Sequence, residues 1–139
     1  NIDVLKSQAF YEDEHVIALY THKPACKGHC LIIPKSHQTR FESLSEKEVA
    51  HIGACIKKVH FAASKVFKTS SYLLLQKNGG EVGQSISHLH IHYLPRKKGA
   101  QFQLFFFFKI LVAHVFPKIS EAKMEKYTFE MKEAIKNES

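Results

Sequence analysis

Three histidines, His88, His90 and His92, alternate with Leu89, Ile91 and Tyr93 near the middle of the chain. Side chains alternate along a β-strand, so this spacing predicts an imidazole row on one face and an apolar row on the other. Successive imidazoles in such a row stand roughly 6 to 7 Å apart, which admits a phosphate-sized group. Each ring carries a donor and an acceptor that burial would leave unpaired, so three in strict alternation point to chemistry rather than to core. Two chemistries suit them. A metal could be held by three imidazoles and a water, but alternate positions on one flat strand do not converge easily on one ion, and no Asp or Glu lies within the row. Alternatively, a neutral imidazole can attack phosphorus when its other nitrogen is held as a donor, while flanking rings donate to phosphate oxygens or protonate the leaving group. The second account uses all three side chains.

The elements that must position this row can be read on either side of it. Upstream lies Lys77-Asn78-Gly79-Gly80-Glu81-Val82-Gly83-Gln84-Ser85, whose glycines allow tight turning and close approach of amides to an anion. Asn78-Gly79 is equally a turn pair for an ordinary hairpin. Residues 16–20, 29–33 and 72–76 read as strands, with a Pro- and Gly-punctuated loop over 21–28 and a stop at Pro34. Tyr11 to His15 reads as an acidic turn between strands, so the first part is an antiparallel meander. Ser45 and Glu48 form a capping box, flanked by Leu44 and Val49, for a helix running to about Phe67. Val49, Ile52, Ile56, Val59, Ala63 and Val66 recur on one face of it, so the helix is scaffold, and His51 and His60 are read as part of that scaffold. Residues 102–116, with Phe105 to Phe108, are expected to be buried in the core or at a subunit interface. Ser120 caps a last helix to about Ile135, with Ala122, Met124, Tyr127, Met131 and Ile135 available to pack.

A chain of 139 residues, 45% apolar and 24% charged, should form one domain with a sizeable core. Three cysteines are too few for a disulfide framework, no signal-peptide pattern opens the sequence, and the cytoplasm is the expected compartment. No apolar run approaches the roughly 20 residues of a membrane span. The net charge of +7 lies wholly in residues 1–117, because the five Lys and five Glu of 118–139 cancel. That field favours a small anionic partner, and the absence of an Arg-rich arm, aromatic nucleic-acid motif or zinc knuckle argues against nucleic acid.

Gly83-Gln84-Ser85-Ile86-Ser87-His88-Leu89-His90-Ile91-His92-Tyr93-Leu94-Pro95-Arg96 resembles the signature of the histidine triad (HIT) superfamily. Lys23-Pro24 and Gly28-His29-Cys30-Leu31-Ile32-Ile33-Pro34-Lys35-Ser36-His37 are similar to its second landmark, and the resemblance covers about residues 8–98. It implies an α+β, HIT-like fold: an antiparallel sheet of about five strands with one long packed helix and a C-terminal helix. The whole of 1–139 would be a single HIT domain, with 99–139 as a C-terminal extension, commonly dimerised into a continuous sheet. The implied activity is hydrolysis at the α-phosphate of a purine nucleotide conjugate, a dinucleoside polyphosphate or a nucleoside phosphoramidate, through a nucleotidyl-histidine intermediate. By the same resemblance His90 is the nucleophile, His88 orients it, His92 binds phosphate and assists the leaving group, and His29 supports the site. Gly83, Gln84 and Ser85 would hold the α-phosphate, beside Lys77 and Asn78, and Thr21 and His22 the ribose. No resident cofactor or metal is implied; a divalent metal would enter only with the nucleotide. The partners are thus a purine nucleotide and a second copy of the chain, without nucleic acid or membrane.

Two positions depart from the family pattern. Thr21 stands where Asp or Asn is usual, and Lys77 where Asn or Gln is usual; a lysine there could pair with a phosphate chain or point to solvent. A catalytically weak nucleotide-binding protein therefore stays open as an alternative, as does, from the histidines themselves, a metal-dependent hydrolase that uses them as ligands. Cys26 and Cys30 read as buried free thiols and His37 as structural.

Overall fold

The computed structural model describes residues 7–100, 108 and 117–138. Five strands, β1 (Ala9–Glu12), β2 (Val16–Tyr20), β3 (Cys30–Pro34), β4 (Thr69–Leu75) and β5 (Ile91–Lys97), form one antiparallel sheet in the order β1-β2-β3-β5-β4. The first three make the meander, and β5 then inserts beside β3, leaving β4 at the edge. Two helices, α1 (Glu46–Phe67) and α2 (Glu121–Lys136), cover one face of this sheet. The α+β architecture agrees with expectation.

Alternation in the strands divides the sheet into two unlike faces. Ala18, Tyr20, Cys30, Ile32, Ile91 and Tyr93 point to the helices and share a core with Ile52, Val59 and Phe67 of α1 and Met124 and Met131 of α2. The C-terminal helix thus contributes to the main core. Residues of the opposite parity, among them His29, Leu31, His92 and Leu94, face away from the helices. There Leu94 and Ala25 are buried against Leu73, Leu75 and Cys26, an apolar floor on the histidine face.

Helix α1 begins where its capping box places it: Ser45 Oγ accepts from the Glu48 amide at 3.1 Å and Glu48 Oε2 accepts from the Ser45 amide at 2.7 Å. It ends at Lys68, which adopts the left-handed conformation at φ 57°. Its buried stripe is Ile52, Cys55, Val59, Ala62, Ala63 and Phe67, so Val49, one turn earlier, stays exposed at the helix start against expectation. Ser120 Oγ accepts from the Lys123 amide and caps α2. Ala122, expected to pack, is exposed, because α2 presents Met124, Thr128 and Met131 to the interior instead. His51 and His60 do belong to the scaffold: His51 Nδ1 lies 3.0 Å from Asp13 Oδ2 in the β1–β2 turn, and His60 Nδ1 lies 2.9 Å from the Tyr93 hydroxyl.

The strand carrying the histidines begins later than the alternation suggests. Only His92 lies in β5; His88 to His90 precede it without ladder pairing. The Leu89 amide instead donates to the Gln38 carbonyl at 2.8 Å, so a loop rather than a strand borders this segment. The alternation survives as burial: Leu89, Ile91 and Tyr93 are buried, while the three histidines are half-buried. Of the phenylalanine run, Phe108 is exposed in the single chain and contributes to neither buried cluster, so of the two expected settings it is not in the core; the rest of 102–116 lies outside the described residues. No helix among the described residues is long and apolar enough to cross a membrane.

Candidate active site

Backbone groups fix the proton positions of the histidines. His90 Nδ1 lies 3.0 Å from the carbonyl oxygen of His88. A carbonyl only accepts, so Nδ1 carries hydrogen, and in the neutral ring Nε2 keeps its lone pair. The orienting group that His88 supplies is thus its carbonyl, not its ring. That ring is held elsewhere, with Nε2 donating to the Pro34 carbonyl at 2.8 Å and the His37 ring standing edge-on at 5.2 Å.

A second chain of bonds runs through His29 and His92. The Ala25 amide donates to His29 Nδ1 at 3.0 Å, which leaves the hydrogen of His29 on Nε2. Nε2 lies 2.9 Å from His92 Nδ1, so His29 donates and His92 accepts. The hydrogen of His92 therefore resides on Nε2. Protonating His92 would set two N–H groups against each other. Burial, followed by the neighbouring His92 and His90, pushes His29 down to about 3. Burial, then His90 and Lys77, pushes His92 down to about 4. Both rings are neutral near pH 7, and the His90 and His92 rings stand 5.0 Å apart.

His29 is delivered by a tight approach of the chain. Gly28 has φ +93°, and a Cβ there would lie 2.7 Å from Pro95 Cγ and 3.1 Å from the Phe67 ring. Its amide donates to the Tyr20 hydroxyl at 2.9 Å. Only glycine fits this position, one residue before His29. Thr21 follows β2 on the same face; it is buried, its amide donates to the His29 carbonyl and its hydroxyl accepts from the Lys23 amide at 3.3 Å. His22 is exposed, and its carbonyl accepts from the Ile119 amide, which ties the approach to α2 onto this loop.

The glycine-rich loop is closed by its own polar groups. The Gly83 amide donates to Gly80 and the Gln84 amide to Gly79, while Gln84 Oε1 accepts from the Gly79 amide at 2.7 Å. Gln84 Nε2 donates to the carbonyls of Thr39 and Ile86. The Gln84 side chain thus closes the loop onto itself and ties it to Thr39, in the segment after β3. Asn78 is similarly engaged, accepting from the Phe41 amide at 2.8 Å and exchanging bonds with Gln76. Ser85 stays exposed between this loop and the histidines. Lys77 is half-buried, with Nζ 3.6 Å from where a Cβ on Gly83 would stand.

The structure brings His29, His88, His90 and His92 together, as expected from the sequence, and adds the backbone groups that aim them, at Ala25, Pro34 and His88. A carbonyl or amide leaves no residue-type signal; Gly28 before His29 was the nearest trace. Among the described residues no group of three or more His, Cys, Asp or Glu is arranged to hold a metal ion. Cys30 is buried and its thiol donates to the Gly28 carbonyl; Cys26, expected to be buried, is only partly so and donates to the Pro95 carbonyl, and Cys26, Cys30 and Cys55 form no disulfide.

The HIT domain model matches residues 3–99. An uncharacterised HIT-like protein of Methanocaldococcus jannaschii is 34% identical over 95 residues, 68% of this chain and 73% of its own. The asymmetrical bis(5'-nucleosyl)-tetraphosphatase of Schizosaccharomyces pombe is 34% identical over 92 residues, 66% of this chain but only 50% of its own length. Among solved structures, a hypothetical histidine triad nucleotide-binding protein of Sulfolobus tokodaii superposes with a TM-score of 0.77 at 26% identity, covering 94% of this chain and 84% of that one. The pairing of His29 with His92, the fixed tautomer of His90 and these matches agree: the chain belongs to the HIT family, whose members include nucleotide hydrolases.

Proposed function

We propose that the chain is a phosphohydrolase that cleaves at the α-phosphate of a purine nucleotide conjugate, a dinucleoside polyphosphate or a nucleoside phosphoramidate, through a nucleotidyl group on His90. The observation that carries this reading is the bond from His90 Nδ1 to the His88 carbonyl, which leaves a lone pair on Nε2 and stabilises the charge that the ring acquires on attack. In the first step Nε2 forms a bond to the α-phosphorus, and the bond from phosphorus to the leaving group breaks with its electron pair going to that group. In the second step water attacks the phosphorus, the N–P bond breaks with its pair returning to Nε2, and a water proton passes to the medium. His92, neutral and carrying its hydrogen on Nε2, donates a hydrogen bond to a phosphate oxygen rather than a proton to the leaving group. Ser85 and Lys77 supply the remaining donors around the phosphate, with Gly83, Gln84 and Asn78 shaping the loop that presents them. Thr21 and His22 bound the ribose side, and the purine preference follows from the resemblance to the family.

The chain acts, in this reading, as a homodimer joined along β4. Among the described residues that strand is one edge of the sheet, β1 being the other, and it carries exposed Tyr72 and Leu74 beside exposed Phe61 of α1, an apolar strip along that edge. Steady-state turnover of a diadenosine polyphosphate tests the mechanism. His90→Ala should lower kcat/KM by roughly 10³-fold or more while AMP still binds, and undiminished turnover in that variant would remove the mechanism.

A further inference from the structure

Lys77 stands where the family pattern has a neutral amide, and the fold aims it at the chemistry. Leu73 pairs with Leu94 and Leu75 with His92 across β4 and β5, so residues of this parity share the histidine face. Two residues beyond Leu75, Lys77 leaves the strand on that face and toward the level of His90. Its ammonium then lies over the Gly83 turn, near enough to His92 for its charge to be felt there. No ion pair of Lys77 occurs among the described residues, and the carboxylate of neighbouring Glu81 is turned to Gly79, where Arg40 also reaches. A fixed positive charge thus stands on the His92 side of the nucleophile.

We propose that Lys77 sets leaving-group specificity, favouring conjugates whose departing group is a phosphate-type oxyanion over those that release an amine. The inference rests on the phosphohydrolase reading. When the bridging atom is oxygen, the electron pair of the broken bond stays on that oxygen and the group leaves as an anion, beside further charged phosphates. When it is nitrogen, the departing atom takes the electron pair and a proton from water and leaves neutral. An ammonium stabilises the first outcome and offers little to the second. An amide at this position would treat them more evenly.

Wild type, K77R, K77Q and K77N are compared on diadenosine tetraphosphate and on adenosine 5'-phosphoramidate, which deliver the same adenylyl group. The ratio of kcat/KM for the tetraphosphate to that for the phosphoramidate should fall about tenfold or more in K77Q and K77N and stay near wild type in K77R. An unchanged ratio in both neutral variants, whether the two rates fall together or neither falls, would overturn the proposal, since a lysine that only holds the α-phosphate or faces water cannot separate the substrates. Failure of the underlying reading shows elsewhere, as a wild type that turns over neither substrate or a His90→Ala variant that keeps both rates, and the proposal falls with it.

Discussion

Neutral imidazoles at positions 29 and 92 have a measurable pH signature. Their folded pKa values of about 3 and about 4 lie below the roughly 6.5 of an unfolded histidine. Between those values the unfolded chain binds more protons than the folded one, so this contribution to stability is whole above about pH 6.5 and is lost as the pH falls through the window below it. The ring resonances of His92 should accordingly not titrate between pH 8 and 5 in NMR spectra of the folded protein; a midpoint near 6.5 would contradict the His29–His92 bond. The backbone bonds also separate His88 from His90. Because the His88 carbonyl survives truncation of its ring, His88→Ala should cost turnover only about tenfold, through loss of the bond to Pro34, where His90→Ala removes it; equal losses would mean that the His88 ring itself acts on the nucleophile. At this scale the candidate residues were legible because alternation and the Gly28-His29 approach are written in side-chain types. The bonds by which Gln84 and Asn78 close the loop were not, since an amide that closes its own loop and one that faces a ligand read identically in sequence.

Elements were legible to the degree that their ends carry local chemistry. Ser45 and Glu48 announce the start of α1, and the box they form is present. Ser45→Ala should destabilise the protein by about 1 kcal/mol in denaturant titration, and no change would show that the box is energetically idle. The start of β5 has no such marker. Its alternation continues upstream through His88, but the partner there is the Gln38 carbonyl of a loop, a tertiary contact that no local pattern announces. Gly28 links element to site. Gly28→Ala should destabilise by roughly 1–3 kcal/mol and depress turnover, because a Cβ would strike Pro95 and Phe67 and the positive φ would be strained, moving His29 from His92. A variant with wild-type stability and turnover would show that this approach is looser than its geometry indicates.

For the whole molecule, the two faces of the sheet divide labour: helices and core on one, the histidines over a small apolar floor on the other. The exposed apolar strip along edge strand β4 predicts association. Sedimentation should find a dimer, and Leu74→Glu, which sets a charge on the exposed strip, should yield a folded monomer; a wild-type monomer at micromolar concentration would remove the continuous-sheet dimer. The central claim is that His90 Nε2 bonds to phosphorus, and intact-protein mass spectrometry of the enzyme mixed with diadenosine tetraphosphate and rapidly quenched without acid tests it most directly. The account predicts a transient adduct of one adenylyl group, present in wild type and absent from His90→Ala. Product formed with no adduct in wild type, or an adduct that persists in His90→Ala, would contradict it.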